Sequence, residues 1–189
     1  MFPEIEGKEY GAMIISKYPL EESTFSNHIS CLPFRAVSAR ISLPNGILEI
    51  IGLYVPSRDK SMKKIKRKKD FLSNVIQALK SAPVSNFRII LGDFNVLEPN
   101  HSPHYSFFEE WEYDFYKNLI NNQYQDAFRV MSPITKEYSW VGRTGQGYRY
   151  DHCFVSDNLL STIEKCFYFH KPRKIRLSDH SAIITQLSL

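Results

Sequence analysis

Four short polar segments stand at the ends of apolar runs, and each carries residues able to handle a phosphate or a proton. Gly92-Asp93-Phe94-Asn95 follows the apolar residues 87–91. A carboxylate and an amide two residues apart, leaving a strand, can project to the same side. Asp93 can ligand a hard cation or take a proton from water, and the Asn95 side-chain NH₂ can hold a phosphoryl oxygen. Ser178-Asp179-His180 precedes the run 182–187 and joins one oxygen ligand to one imidazole. Arg149-Tyr150-Asp151-His152 opens the run to Val155, where Asp151 can orient a histidine from another loop. Tyr54-Val55-Pro56-Ser57 closes an earlier run. Singly these are weak signals. Asp-x-Asn after a strand is commonly only a turn, Asp-His pairs are frequent by chance, and a lone tyrosine such as Tyr54 is more often the rim of a core. Four such knots in one chain, each at a strand end, are the informative pattern.

The elements that must position them follow from periodicity. Residues 11–17 are apolar enough for a largely buried strand. Residues 34–43 alternate in part, with Val37, Ala39, Ile41 and Leu43 on one parity. Pro44-Asn45-Gly46 and the apolar residues 47–54 follow, which is a hairpin signal. Ser61 can cap a helix running to about residue 82, with Ile65, Leu72, Val75, Ile76 and Leu79 as its apolar stripe and lysines opposite. Residues 87–91 read as a buried strand. Ser106 can open a second helix carrying Phe107, Phe108, Trp111, Phe115 and Leu119, a core pattern. Residues 138–141 and 149–155 read as strands around the turn Arg143-Thr144-Gly145-Gln146-Gly147, and 162–169 and 182–187 as two more. Strands linked partly by hairpins and partly by helices indicate an α/β fold, two sheets packed together with helices outside.

Composition narrows the function. The 189 residues suit one domain, 43% hydrophobic and 14% aromatic, with no internal repeat and no apolar run long enough to span a membrane. The N-terminus has acids where a signal peptide has bases, so the expected location is cytoplasmic. Cys31, Cys153 and Cys166 lack metal-ligand spacing and sit among apolar neighbours, as buried small hydrophobes do. The net charge is only +4, but it is uneven. Residues 58–69 hold Arg58, Lys60, Lys63, Lys64, Lys66, Arg67, Lys68 and Lys69 against the single acid Asp59. Lys171, Arg173, Lys174 and Arg176 form a second basic stretch, and Glu98, Glu109, Glu110, Glu112 and Asp114 lie between the two. Basic clusters fit an anionic partner such as nucleic acid, although a solvated helix face has the same composition.

In this order along the chain, the segments resemble the endonuclease/exonuclease/phosphatase superfamily, which includes exonuclease III, apurinic endonucleases and DNase I. The resemblance runs from Gly11 to Leu189. It is carried by Ser16-Lys17-Tyr18-Pro19-Leu20, Leu53-Tyr54-Val55-Pro56-Ser57, Leu91-Gly92-Asp93-Phe94-Asn95, Asp126-Ala127-Phe128-Arg129, Ser139-Trp140 through Arg149-Tyr150-Asp151, and Ser178-Asp179-His180-Ser181. It implies a DNase I-like two-sheet sandwich flanked by helices, with Mg²⁺ or Mn²⁺ as cofactor. It assigns the water to Asp93, the phosphate to Asn95 and Tyr54, and the metal to Asp179. His180 contacts the scissile phosphate and pairs with Asp151. Trp140 and Arg149 are expected substrate contacts. All of the catalytic residues are expected to converge on one cleft.

One departure stands out. The family's first strand supplies an Asn, and a Gln-Glu segment after it supplies the principal metal-binding Glu. Neither motif is present, and Glu4, Glu6 and Glu9 are not in such a context. The resemblance therefore implies a single domain over residues 1–189 that is incomplete at its N-terminus and lacks the first strands. The leading expectation is a metal-dependent nuclease on DNA, exonuclease III-like or an abasic-site endonuclease serving DNA repair. The alternatives are the same fold acting on a phospholipid, inositol phosphate or nucleotide, and a catalytically impaired nucleic-acid-binding remnant.

Overall fold

The computed structural model describes residues 9–81 and 87–189; Glu4, Glu6 and the expected end of the first helix at residue 82 lie outside them. The chain divides into two compact units, Met1–Asn95 and Val96–Leu189.

In the first unit a two-residue strand β1 (Glu21–Glu22) pairs antiparallel with β2 (Ala36–Leu43), and β2 pairs antiparallel with β3 (Gly46–Tyr54) across the expected turn. Helix α1 (Met62–Ser81) then crosses over to β4 (Phe87–Asp93), which pairs parallel with β3. Period-two burial is clear in β3, where Ile51 and Leu53 are buried while Ile50 and Gly52 are half-exposed. Helix α1 buries Phe71, Leu72, Val75, Ala78 and Leu79. It also buries Lys68, so the lysines do not all line the solvent face; Lys63, Lys64, Lys66 and Lys69 do. The run 87–91 is not wholly apolar inside. Arg88 faces Glu49 across the parallel pair, both are fully buried, and their charged groups meet at 2.6 Å. Residues 11–17 form no strand. They run along the half-exposed face of β3 and β4, where Ala12, Met13, Ile14 and Ile15 border a cavity of about 460 Å³ with Ile50, Gly52 and Leu91. Ile15 is 81% exposed. Apolar content predicted burial there, but a segment lying on one sheet face turns alternate side chains to solvent.

The second unit carries helix α2 (Glu110–Asn121), then β5 (Tyr124–Asp126) and the short helix α3 (Ala127–Met131). Helix α2 begins later than Ser106. Glu109 is its cap, in a capping box with Glu112, so carboxylates rather than a serine satisfy the first-turn amides. The hairpin strands β6 (Trp140–Val141) and β7 (Gly147–Tyr148) precede β8 (Asp151–Ser156), which pairs antiparallel with β5. Strand β9 (Ile163–Phe169), helix α4 (Lys171–Lys174) and strand β10 (Ala182–Leu187) complete the unit. Strands β9 and β10 pair antiparallel, and β10 packs against β8, placing one sheet on another. Cys153 and Cys166 are buried thiols as expected, and burial pushes Cys153 up to about 12. Among the described residues, no helix is long and apolar enough to cross a membrane.

Candidate active site

In the first unit, Tyr54 and Asp93 stand at the C-terminal ends of β3 and β4. Parallel pairing sets Tyr54 beside Asp93. Gly92 is held at φ 136°, and a Cβ there would lie 2.0 Å from the Leu53 carbonyl oxygen, so only glycine lets the two strands meet. Beyond it the backbone turns at Asn95, a non-glycine residue at φ 48°. That turn folds Asn95 back on Asp93: the Asn95 backbone N–H donates to Asp93 Oδ1 at 2.9 Å and its Nδ2 donates to Oδ2 at 2.9 Å. The second Nδ2 hydrogen goes to the Val55 carbonyl at 3.0 Å. Both amide hydrogens expected to hold a phosphoryl oxygen are thus engaged within the protein, and the expected phosphate contact from Asn95 is corrected to a hold on Asp93. Lys68 Nζ donates to the Asn95 carbonyl at 2.6 Å. The Arg35 guanidinium sits 4.4 Å over the Tyr54 ring.

In the second unit a further group of polar residues is anchored around the start of β8. Ser139 Oγ accepts from the backbone N–H groups of Tyr150 at 3.0 Å and Asp151 at 3.1 Å, anchoring the start of β8. Asp151 Oδ2 then lies 2.7 Å from His180 Nδ1. The loop carrying His180 is tied down on both sides. Its His180 N–H donates to Ser178 Oγ at 3.1 Å, and the Ser181 N–H donates to the Ser139 carbonyl at 2.7 Å. Ser181 Oγ accepts from Arg173 Nε at 2.9 Å and lies 2.8 Å from His170 Nδ1. Asp179 is exposed, and one of its oxygens accepts from Trp140 Nε1 at 3.1 Å. The half-buried Trp140 ring packs near Tyr148 and Tyr150, while Tyr105 and Tyr148 stack at 4.4 Å.

Behind β8 lies a buried ionic cluster. Arg149 Nη2 reaches Asp126 at 2.7 Å and Glu98 at 2.8 Å, and Glu98 also takes two hydrogen bonds from Arg129 at 2.5 Å. His152 Nδ1 is 3.4 Å from Asp126, whose Oδ2 also accepts from the Tyr116 hydroxyl at 2.8 Å. Burial alone would raise the Glu98 carboxyl, but the bonds and charges of Arg129 and Arg149 override it and hold it at about 2. Burial opposes ionisation of Asp126 as well, and Arg149 and His152 keep it far below the usual range.

No family model matches the chain, and no curated protein matches it. Solved structures do match. A 3' phosphatase, NExo, from Neisseria, bound to a product DNA hairpin, superposes with TM-score 0.73 at 19% identity, covering 82% of this chain and 65% of that one. An AP endonuclease from Archaeoglobus fulgidus gives 0.75 at 23%, covering 92% and 73%. The 3'-5' exonuclease NExo from Neisseria meningitidis gives 0.74 at 21%, covering 85% and 69%. The fold is that of the exonuclease III/DNase I-like enzymes. This chain spans about two thirds of the length of the first of them.

Within this DNase I-like fold, Tyr54, Asp93 and Asn95 gather in the first unit, and Trp140, Asp151, Asp179 and His180 in the second. Arg149 does not join them as a substrate contact. It is fully buried and its guanidinium is held by Glu98 and Asp126, which makes it a support under β8. Sequence reasoning missed Lys68, Arg35, Ser139, Glu98 and Asp126 as partners of the site. A lysine in a basic run and serines in loops carry no distinguishing local signal. Arg149 four positions ahead of Cys153 in a strand-forming run did offer one, since an arginine entering a buried strand demands acids nearby.

Proposed function

We propose that the chain is a divalent-metal-dependent phosphodiester hydrolase acting on DNA, an exonuclease III-like nuclease or abasic-site endonuclease. The observation that carries this reading is the Asp151–His180 contact at 2.7 Å beside an exposed Asp179, on a fold whose solved examples are DNA-processing hydrolases. The hydrogen bond between Asp151 and Nδ1 fixes the orientation of the ring, and we assign the imidazole to a phosphoryl oxygen. Asp93 has a different task. Each of its oxygens accepts one hydrogen bond from Asn95, which fixes the direction of the carboxylate. It is the general base that draws the proton from the attacking water. Asn95 orients Asp93, and Tyr54 offers its hydroxyl to the phosphate.

The donor set suits a hard cation. Asp179 accepts one hydrogen bond from Trp140 and keeps its second oxygen exposed, and Mg²⁺ needs only one or two carboxylates with water filling the rest. When bound, Mg²⁺ or Mn²⁺ supplies charge stabilisation at the phosphoryl oxygens. Asp179 is the residue that would hold it.

The test is cleavage of abasic and plain duplex DNA by this chain with Mg²⁺, Mn²⁺ or chelator. Metal-dependent products are expected, and His180→Gln and Asp93→Asn should each cut kcat by about 10²–10⁴-fold, the worth of a positioned acid or base. Cleavage that survives both substitutions, or that needs no metal, rejects the assignment. Turnover confined to inositol phosphates or nucleotides moves the same chemistry to another substrate.

A further inference from the structure

We propose that Lys68 is a positioning residue of this site: delivered from the buried side of α1, it holds the Asn95 carbonyl and so fixes the aim of the Asp93 carboxylate. The inference rests on the assignment of Asp93 as general base. Among the bases of α1, Lys68 stands apart. It is 1% exposed, whereas Lys63, Lys64, Lys66 and Lys69 are exposed. Burying an ammonium is costly unless it is hydrogen-bonded, so a lysine is rarely placed inside without a specific partner. Here one partner is a backbone carbonyl 27 residues away, at 2.6 Å.

That carbonyl belongs to a residue that bonds both oxygens of Asp93. Asn95 is held at φ 48°, in the left-handed region that a residue with a Cβ enters only at a cost, asparagine at a smaller one than most. Such a turn persists only where its surroundings over-determine it. The Asn95 N–H bond to Asp93 constrains the torsion before its Cα, and the Lys68 ammonium pins the peptide plane after it. With both sides held, the Asn95 side chain has one way to lie: across Asp93 Oδ2 and the Val55 carbonyl. Remove the ammonium and the peptide plane can rotate, the amide leaves Asp93, and the base loses its fixed direction. In this scheme Lys68 is assigned no contact with water or phosphate and acts on Asp93 through Asn95. Its role is therefore distinct from that of the exposed lysines on the same helix.

The experiment compares Lys68→Met, which keeps length and volume without a donor, with Lys68→Arg, which keeps donors. On duplex DNA with Mn²⁺, the Met variant should lose about 10- to 100-fold in kcat, as outer partners of reactive groups do. Its KM and duplex affinity should stay within about twofold, because no phosphate contact is removed, and Arg should recover most of the rate. A structural readout separates this proposal from the nuclease assignment. The Asn95 side-chain amide protons, followed by ¹H–¹⁵N NMR without substrate, should exchange slowly in the native chain and shift and exchange faster in the Met variant. If the native chain hydrolyses no DNA but these signals behave so, the assignment of Asp93 fails while the Lys68 hold stands. A Met variant with unmoved Asn95 signals, or with raised KM and unchanged kcat, overturns the proposal. Should the Met variant not fold, the native chain decides: an ordered Lys68 ammonium gives a slowly exchanging side-chain ¹⁵N signal that DNA does not displace, and its absence refutes the hold.

Discussion

Replacing Glu98 by glutamine keeps the shape of the buried cluster and deletes its most heavily bonded charge. The native carboxylate accepts from Arg129 Nε and Nη2 at 2.5 Å each, and from Arg149 Nη2 at 2.8 Å and Nε at 3.1 Å. Its side chain is 7% exposed, so solvent screens little of this. The fall from 4.5 to about 2 measures how much the folded protein prefers the ionised form. At about 1.4 kcal/mol per tenfold, that preference is worth roughly 3 kcal/mol. The variant also leaves Arg149 with one acid fewer, and breaking a buried pair from one side costs about 3–5 kcal/mol. A loss of about 3 kcal/mol or more is therefore expected at pH 7. The sign of its pH dependence is fixed. A carboxyl lowered by folding stabilises above its unfolded value of 4.5 and loses that contribution as pH falls through about 2. Urea unfolding of both proteins, followed by tryptophan fluorescence at pH 7, 4 and 2.5, should show the gap fully open at pH 7 and narrowing steadily below 4.5. A gap under about 1 kcal/mol at pH 7, or one that does not change with pH, would refute the account of the cluster.

Two further outcomes are expected. Gly92→Ala should destabilise the protein by about 3 kcal/mol or more in thermal or urea unfolding, since the new methyl would meet the Leu53 carbonyl at 2.0 Å in a φ that disfavours it. Changing Lys63, Lys66 and Lys69 to Gln should flatten the salt dependence of duplex binding, by up to about 0.9 in slope per lost phosphate contact. Saturated turnover should hardly move, and an unchanged slope would make that face merely solvated.

Long, regular signals were legible. The hairpin around Pro44-Asn45-Gly46 appears as β2 and β3, and β10 spans the residues expected of it, because each has enough period-two pattern to declare itself. Strand β6 falls within the expected run 138–141 but is only two residues long, and β1 and β7 were not legible as such, since two residues have no period. Residues 11–17 misled because apolar content cannot distinguish a strand within a sheet from a segment lying across one. The positions of Asp93, Asp151, Asp179 and His180 at strand ends could be read locally. Their holders could not. Lys68 and Asn95 are 27 residues apart and Ser139 and Ser181 are 42 apart, distances that only the fold closes. Arg149 shows the opposite failure: a motif residue read as a surface contact is drawn inward by Glu98 and Asp126.

The buried pair Glu49–Arg88 also governs how the first unit assembles. Parallel strands joined through a helix meet late and have several near-equivalent alignments, because an apolar run can slide by two residues and still bury its inward side chains. A buried charge on each strand removes that degeneracy. Any slipped alignment separates Arg88 from Glu49 and breaks a buried ion pair, at a cost of about 3–5 kcal/mol. The alignment that unites Glu49 with Arg88 is the one that brings Tyr54 level with Asp93. An ion pair far from any substrate thus acts as a ratchet tooth. It rejects mispaired chains during folding, and the molecules that pass carry their reactive groups in step.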